Sequence, residues 1–393
     1  MKRMFLIVAF TVSTYADEKG WTRHTIDQGS KGADGVRLSD VNGDGLMDIA
    51  TGWEEGGVVR AYLHPGRGKE KALWPAVTVG KVKSAEDAVF VDLNNDGVKD
   101  VVSSCEGGTK SMFVHWAPAR IEDFLKEDSW KTEVIPVTEK SRSWMYALPM
   151  QIDGKGGTDL FVGSKGKNGC VGWLEVSGDV SEWKYHHLQD AGWIMSLIAT
   201  DMDGDGDQDL LVSDRKGAKR GIYWLEYPGA EKAKSEWKRH EIGGDDREIL
   251  FISTSDIHRD GKTAIIAIDK KSIIWFTAGN EGNWGAAVLP LPEGVGGGKS
   301  AVSFDINLDG ANDFVFSCEG AKGALSGVRW LSWDETQFVS HEVAGEPGEK
   351  YDRLVPYDVD GDGDLDLLCC EERDQLGVFW YENPFAKELG DRK

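Results

Sequence analysis

Five short stretches of the sequence carry acidic and amide side chains at a spacing that binds a hard cation. Each has Asp at position 1, Asp or Asn at position 3, Asp at position 5, Gly at position 6 and Asp at position 9. Oxygen atoms at positions 1, 3, 5 and 9, with the carbonyl of position 7, can surround one ion of calcium size. We therefore predict about five structural Ca²⁺ sites. Their ligands are Asp40, Asn42, Asp44, Asp48, Asp92, Asn94, Asp96, Asp100, Asp201, Asp203, Asp205, Asp209, Asp305, Asn307, Asp309, Asp313, Asp358, Asp360, Asp362 and Asp366.

The residues after these loops exclude an EF-hand. An EF-hand needs a Glu at position 12 and a helix behind it, whereas position 12 of the loop that starts at Asp201 is Val212, in an apolar run typical of a strand. A plain Asp-Gly turn is the alternative interpretation. Five carboxylates this close would repel one another without a counterion, which favours the cation loop.

The loop recurs through the whole chain and sets the predicted architecture. Two altered copies, at 151–159 and 256–264, have Lys155 and Ala264 in place of ligands, and whether they bind metal is left open. The seven copies begin about 50 to 60 residues apart, a period typical of a four-stranded propeller blade. We predict an all-β, seven-bladed β-propeller with four-stranded blades.

Aromatic residues recur at two further positions of each repeat. One column falls in the predicted third strand, and the other lies at the start of the fourth strand, where Trp21 precedes the first loop. Such repetition favours packing between blades over ligand binding. Because the chain begins with a fourth strand and ends with a third, we expect the N-terminal strand to complete the last blade. The third-strand column is Tyr62, Trp116, Trp173, Trp224, Trp275, Trp330 and Trp380.

These loops resemble those of the secreted VCBS/FG-GAP repeat family, whose seven-bladed propeller is similar to the head of integrin α chains. The resemblance covers nearly all of the chain after its first residues and implies calcium bound between the first two strands of a blade. A looser similarity, to the propeller of fungal aldos-2-ulose dehydratase, depends on the phrase Trp-Leu-Glu-Tyr-Pro-Gly at 224–229.

The N-terminal residues are typical of an export signal. Lys2 and Arg3 precede an apolar run at 4–12, and we expect cleavage after Ala16. The predicted organisation is a signal peptide at 1–16, a propeller at 17–385 and a C-terminal tail at 386–393. We expect a secreted or periplasmic protein without a membrane span, since no later apolar run approaches the roughly 20 residues required.

The net charge limits the classes of binding partner, and the cysteine pattern predicts where the thiols lie. The net charge of −22 argues against nucleic acid and against an anionic membrane surface. The cysteines are odd in number and have no framework spacing, so we predict small buried strand residues. They are Cys105, Cys170, Cys318, Cys369 and Cys370.

A charged residue recurs six positions after the last ligand of each loop. At the end of the propeller axis opposite the calcium loops, four acids should face three cations. One interpretation is a ring of inter-blade ion pairs. The other is a cleft in which the cations bind the anionic part of a ligand and the glutamates bind hydroxyls, with Trp53, Trp144 and Trp193 stacking on a sugar. The column is Glu54, Glu106, Lys165, Arg215, Lys270, Glu319 and Glu372.

Two classes of function fit this pattern. The first is an exported calcium-binding propeller that binds a carbohydrate or protein partner through the charged axial face. The alternative is a lyase or dehydratase acting on an acidic or keto sugar, in which Arg215 or Lys270 stabilises enolate-like charge and Tyr146 or a glutamate removes a proton. The sequence contains no Gly-x-Ser-x-Gly motif and no catalytic zinc spacing, which favours the binding module.

Overall fold

The computed structural model of the chain describes residues 12–14, 20–279, 282–345 and 347–386. Their regular structure is almost entirely strand, so the all-β prediction is confirmed. The strands are β1 (Val12–Thr14), β2 (Thr22–Asp27), β3 (Ala33–Ser39), β4 (Asp48–Trp53), β5 (Val58–Tyr62), β6 (Ala76–Gly80), β7 (Ala85–Val91), β8 (Asp100–Cys105), β9 (Met112–Trp116), β10 (Lys131–Val134), β11 (Ser143–Pro149), β12 (Leu160–Lys165), β13 (Cys170–Glu175), β14 (Lys184–Asp190), β15 (Ile194–Thr200), β16 (Asp209–Asp214), β17 (Gly221–Glu226), β18 (Lys238–Gly243), β19 (Ile252–Ser255), β20 (Ala264–Ile268), β21 (Ser272–Ala278), β22 (Trp284–Pro290), β23 (Gly297–Phe304), β24 (Asp313–Glu319), β25 (Val328–Trp333), β26 (Phe338–Glu342), β27 (Val355–Tyr357), β28 (Asp366–Glu371) and β29 (Gly377–Glu382).

In the part of the chain that the structure describes, helical structure consists of single 3-10 turns in the connections and of residues 385–386 after the last strand. Within the described ranges, none of these helices is long and apolar enough to cross a membrane. The 3-10 helices are Ile121–Asp123, Glu127–Ser129, Pro136–Thr138, Val180–Glu182 and Ala230–Lys232.

The chain divides into two compact units. Unit 1 comprises Met1–Gln28, Arg67–Leu73 and Arg247–Lys393, and unit 2 comprises Gly29–Gly66 and Trp74–Asp246. Unit 2 contains four sheets with the strand orders β3-β4-β5-β6, β10-β9-β8-β7, β11-β12-β13-β14 and β15-β16-β17-β18. Each sheet is a meander in which neighbouring strands are antiparallel and successive in the chain.

Unit 1 contains the remaining three sheets. Their orders are β19-β20-β21-β22, β1-β26-β25-β24-β23 and β2-β29-β28-β27. In the last of these, β2 lies antiparallel to β29 with His24 opposite Trp380, so the N-terminal strand completes the last blade as predicted. The seven antiparallel sheets confirm the predicted fold class, a seven-bladed propeller with four-stranded blades.

One sheet has a fifth strand that the sequence does not predict. In β1, Val12 lies opposite Phe338 and Thr14 opposite Ser340, in the only parallel pairing among the strands described. This strand falls within the expected export signal. The rest of that signal, residues 1–11 and 15–16, lies outside the described residues, as do 387–393 of the expected tail.

Packing between sheets accounts for the aromatic columns. In unit 2, Trp173 and Trp237 belong to a buried cluster with Phe161 and Leu210, and the Phe161 and Trp237 rings meet edge to face at 5.4 Å. In unit 1, Trp330 joins a cluster with Phe379 and Leu367. The five cysteines are buried free thiols on strands, as predicted.

Candidate functional site

Each Asp-rich loop joins the first and second strands of a blade. The loops at 40–48 and 201–209 connect β3 to β4 and β15 to β16, and their last Asp is the first residue of the second strand. Backbone amides fold each loop around its first residue: Gly43 and Gly45 donate to the Asp40 carboxylate at 2.7 and 2.9 Å. Gly45 has a positive φ of 82°, the reason that position 6 requires glycine.

The Asp at position 9 has a structural role that the sequence analysis did not assign. Asp209 is buried and accepts hydrogen bonds from Met202 N at 2.9 Å and from Tyr227 N, just after β17, at 2.9 Å. The altered loop at 151–159 keeps this arrangement, because Asp159 accepts from Ile152 N and Val176 N, each at 2.9 Å. The position-9 carboxylate therefore ties its loop to the third strand whether or not the other ligand positions are intact.

Carboxylate oxygens converge in two of the intact loops. Ligand atoms of Asp201, Asp203 and Asp209 lie within 4.8 Å of one another. The same holds for Asp358, Asp360 and Asp366. This all-oxygen donor set suits a hard cation.

Two further features of the loops bear on a bound cation. The enclosed Oδ1 of Asp92 accepts no hydrogen bond from the residues described, although it lies at a predicted ligand position. Cations of the chain already approach other ligand positions, since Arg259 lies 2.9 Å from Asp305 and Arg67 lies 3.6 Å from Asp358. The donor chemistry of the loops therefore fits Ca²⁺.

Burial raises the pKa of the position-9 carboxyl groups, and the neighbouring carboxylates add a smaller contribution. Burial, together with the carboxylates of Asp360 and Asp364, raises the pKa of Asp366 to about 8. Burial likewise raises the pKa of Asp48 to about 6, with Asp44 and Asp40 contributing. A divalent cation in the loop would favour the ionised forms and reverse this effect.

Three residues of the predicted charged column, Lys270, Glu319 and Glu372, line a cavity in unit 1 or pair with a residue that lines it. A cavity of about 340 Å³, which we call the charged pocket, is lined by Lys270, Glu319, Gly320, Glu349, Lys350 and Arg373. Lys270 pairs with Glu319, while Lys350 pairs with Glu372. Although burial acts to raise it, the nearby Lys299 and Lys270 hold the pKa of Glu319 at about 2, so this carboxylate is ionised.

A buried carboxylate behind the charged pocket fixes its loops. Glu371, the last residue of β28, has no solvent exposure, and its Oε1 accepts from Lys350 N at 2.9 Å and Arg373 N at 2.8 Å. Glu349 N and Asp374 N donate to the same atom at 3.3 and 3.0 Å. Glu371 thus holds the backbone of three residues that line the pocket.

In unit 2 the column residues also form ion pairs with neighbouring sheets. Lys165, at the end of β12, pairs with Glu106 and lies 4.0 Å from Glu86. Carboxylate atoms of Glu54, Glu86 and Asp34 lie within 4.8 Å of one another. For Lys165 and for Lys270, the interpretation as inter-blade ion pairs therefore describes the contacts.

A cluster of cationic side chains surrounds Trp193 in unit 2. Three cations lie near its indole ring: Lys165 Nζ at 4.6 Å from the ring centroid, Arg215 Cζ at 4.8 Å and Lys216 Nζ at 4.9 Å. Asp214, the buried last residue of β16, accepts from Trp193 N at 2.7 Å and from Gly192 N at 2.9 Å. Asp214 holds this loop as Glu371 holds the loops of the charged pocket.

Two of the three tryptophans expected to stack on a sugar are interior residues, so that prediction is wrong for Trp53 and Trp144. Both have 0 % exposure. The Trp53 indole donates to Tyr62 Oη at 2.9 Å, and the Trp144 indole donates to the Thr138 carbonyl at 3.2 Å. Tyr146, considered above as a base, is also buried, with the Arg37 guanidinium 4.5 Å from its ring centroid.

The sequence analysis missed the residues that hold these sites together. Asp214 and Glu371 both stand five positions after the last ligand of their loops, directly before the charged column. Comparison at that offset would have revealed them. Lys216 and Arg373 stand seven positions after the last ligand, directly after the charged column, and the same comparison would have found them. Lys350 lies before β27 and has no such signal.

Of the comparisons with known proteins, the one with family models supports the repeat. None of the curated proteins compared with this sequence matches it. A solved structure titled "Structural basis of specific recognition of non-reducing terminal N-acetylglucosamine by an Agrocybe aegerita lection" is similar over 92% of each chain, with 13% identity and a TM-score of 0.44. A family model for the FG-GAP-like repeat matches residues 40–103 and 152–212. Two stretches of the chain therefore consist of the FG-GAP-like repeat that the Asp-rich loops predict.

Proposed function

We propose that this protein is a calcium-binding β-propeller that binds an acidic carbohydrate in the charged pocket. The observation that carries the proposal is the lining of a cavity of about 340 Å³ by Lys270, Lys350 and Arg373 together with Glu319 and Glu349. This volume falls in the range of small-molecule sites, about 300–1,000 Å³. Cations suit the carboxylate of a sugar acid, and the glutamates accept hydrogen bonds from its hydroxyl groups.

Arg373 is the group we assign to the ligand carboxylate. Its side chain is exposed and makes no ion pair within the described part of the chain, whereas Lys270 and Lys350 are already paired with glutamates. A guanidinium can bind a carboxylate through two parallel hydrogen bonds. A protein partner needs a much larger surface, about 800 Å² on each side, so a site of this volume favours a carbohydrate.

Titration calorimetry with tetragalacturonate tests this proposal, with the neutral cellotetraose as the comparison ligand. We expect binding of the acidic sugar only, and a loss of about tenfold in affinity for Arg373→Gln, which is about 1.4 kcal/mol. Lys262→Gln is the matched control, since it removes one exposed cation from a loop outside the pocket. Equal affinity of Arg373→Gln and the parent for tetragalacturonate would refute the assignment.

The same mixtures distinguish binding from turnover. A lyase acting on tetragalacturonate would produce an unsaturated sugar, which absorbs ultraviolet light. A binding module leaves the absorbance constant over hours at high protein concentration. A steady rise that Arg373→Gln removes would favour the enzymatic alternative.

The proposed calcium sites follow from the donor sets of the five intact loops. Ca²⁺ would be held by the residues at positions 1, 3, 5 and 9, and it would supply the counterion that the clustered carboxylates require. Because a ligand that binds only the folded state stabilises it, excess chelator should lower the melting temperature strongly. Metal analysis should give about five Ca²⁺ per chain, and an unchanged melt after chelation would contradict loading of the loops.

We also infer that the protein is exported after cleavage behind Ala16. The support is the charged, apolar and small-residue pattern of the first 16 residues. Cleavage there would remove β1 and leave four strands in its sheet. N-terminal sequencing of the protein recovered outside the cytoplasm tests this, and recovery of intact residues 1–16 would contradict it.

A further inference from the structure

We propose that unit 2 carries a second anion-binding site, centred on Trp193, for a carboxylate or sulfate ester of an acidic carbohydrate. The site consists of Trp193, Lys165, Arg215 and Lys216, and we call it the Trp193 site. The inference deepens the proposed function and rests on it, since it assigns the same class of ligand to residues outside the charged pocket.

The crowding of cations around one indole is the first argument. Three positive groups lie 4.6 to 4.9 Å from the ring centroid of Trp193. Each contact with the ring face contributes about 0.5–1 kcal/mol at an exposed position, but the cations repel one another. A bound anion would remove that repulsion.

The balance of local charge is the second argument. Lys165 pairs with Glu106, which accounts for one of the three cations. Lys216 is exposed and forms no ion pair with any residue that the structure describes. The site therefore offers an ammonium group to a ligand without the loss of an existing ion pair.

The rigidity of the loop is the third argument. Asp214 is 1% exposed and accepts from the backbone N–H groups of Gly192, Trp193 and Lys216, the last at 3.3 Å. Trp193 also forms a β-bridge with Lys165. A ligand thus meets cations on a fixed backbone and spends less free energy on ordering the loop.

The chemical class of the ligand follows from the same geometry. A neutral sugar stacks on an aromatic ring, but here the cations compete with it for the indole. An anionic group is attracted by Arg215 and Lys216 together, and a guanidinium beside an ammonium suits a carboxylate or a sulfate ester. We therefore assign the site to an anion and not to ring stacking.

The experiment counts binding sites on the full chain by titration calorimetry. The probes are tetragalacturonate, which carries carboxylates, a carrageenan tetrasaccharide, which carries sulfate esters, and neutral cellotetraose. We expect two sites per chain for at least one acidic probe and none for cellotetraose. The double variant Arg215→Gln with Lys216→Gln should lose one site, or weaken it at least tenfold, with its melting temperature within a few degrees of the parent.

Two controls separate this inference from the proposed function. Lys184→Gln removes an exposed cation from β14 of the same unit, and it should keep both sites. Arg373→Gln should weaken only the site in the charged pocket, by about tenfold. Retention of both sites at the affinities of the parent by the double variant would overturn the Trp193 site, whereas the same result for Arg373→Gln would overturn the charged pocket. Failure of both acidic probes to bind would overturn both.

Discussion

Substitution of Glu371 by Gln should weaken the charged pocket although Glu371 does not line it. Its Oε1 accepts from Lys350 N and Arg373 N at 2.9 and 2.8 Å, and its Oε2 accepts from Asp374 N at 2.8 Å. A Gln side chain has the same shape but only one oxygen. Its amide nitrogen is itself a hydrogen-bond donor and would therefore face backbone N–H groups without accepting a hydrogen bond from them.

The size of the effect follows from the hydrogen bonds that are lost. If the Gln oxygen takes the position of Oε1, Lys350 N and Arg373 N keep a neutral acceptor. The amide nitrogen then faces Asp374 N and Leu376 N. A hydrogen bond to a charged group contributes about 1.5–3 kcal/mol and one to a neutral group about 0.5–1.5 kcal/mol, so we expect the free energy of unfolding to fall by about 1.5–3 kcal/mol. Since the neutral amide holds the segments of Lys350 and Arg373 less firmly, affinity for tetragalacturonate should also fall, by about tenfold.

Calorimetry on the folded variant, well below its melting temperature, separates positioning from general destabilisation. Glu371→Gln should weaken binding at the charged pocket and leave the Trp193 site unchanged. Asp214→Asn is the reciprocal control, because it should weaken the Trp193 site and spare the pocket. If Glu371→Gln lowers the melting temperature but binds tetragalacturonate as the parent does, the positioning role of Glu371 is refuted.

Three further perturbations test the interior and the loops. Arg37→Met removes the guanidinium 3.3 Å from the buried carboxylate of Asp87, so urea unfolding should show a loss of about 3–5 kcal/mol, and a loss under 1 kcal/mol would contradict this. Burial lowers the pKa of His115 to about 3, whereas an unfolded histidine takes up its proton near pH 6.5. Relative to His115→Asn, the parent should therefore lose on the order of 4 kcal/mol of stability as the pH falls from 6.5 to 3, and parallel pH profiles in calorimetry would refute the assignment. Asp205→Ala should release one Ca²⁺ per chain in metal analysis while the four other intact loops keep the protein folded, and complete unfolding would contradict that modularity.

The fold could be predicted from the sequence because each blade repeats the same loop and aromatic positions. The Asp-rich loop fixes the boundary between the first and second strands in each intact copy, and the aromatic columns fix the third and fourth strands. Trp21 and Trp380 together predict that β2 pairs with β29, as it does. The strand β1 was not predicted, since a three-residue edge pairing leaves no periodic pattern.

The candidate sites could be predicted from the sequence only in part. The charged column identifies Lys270 and Glu319, but it does not reveal that the two side chains pair with each other. That contact depends on the distance between neighbouring sheets and on side-chain conformation. Arg373 directly follows the charged column, so an offset of seven would find it, whereas Lys350 lies before β27 and shares no repeated offset with the other residues of the pocket.

The alternation of side chains along the second strand connects these results. Successive residues of a strand point to opposite sides, so the position before the charged column should be interior. Trp53 occupies it in the first blade, which explains why this tryptophan is buried and unavailable to a sugar. Where the position holds a buried carboxylate, as at Asp214 and Glu371, it accepts from backbone N–H groups of the adjoining loops. The half-buried Asp269 at the same offset pairs with Arg247. A buried acid at this offset thus marks a blade whose loops are fixed in place, and both of the binding sites proposed for this protein lie beside such an acid.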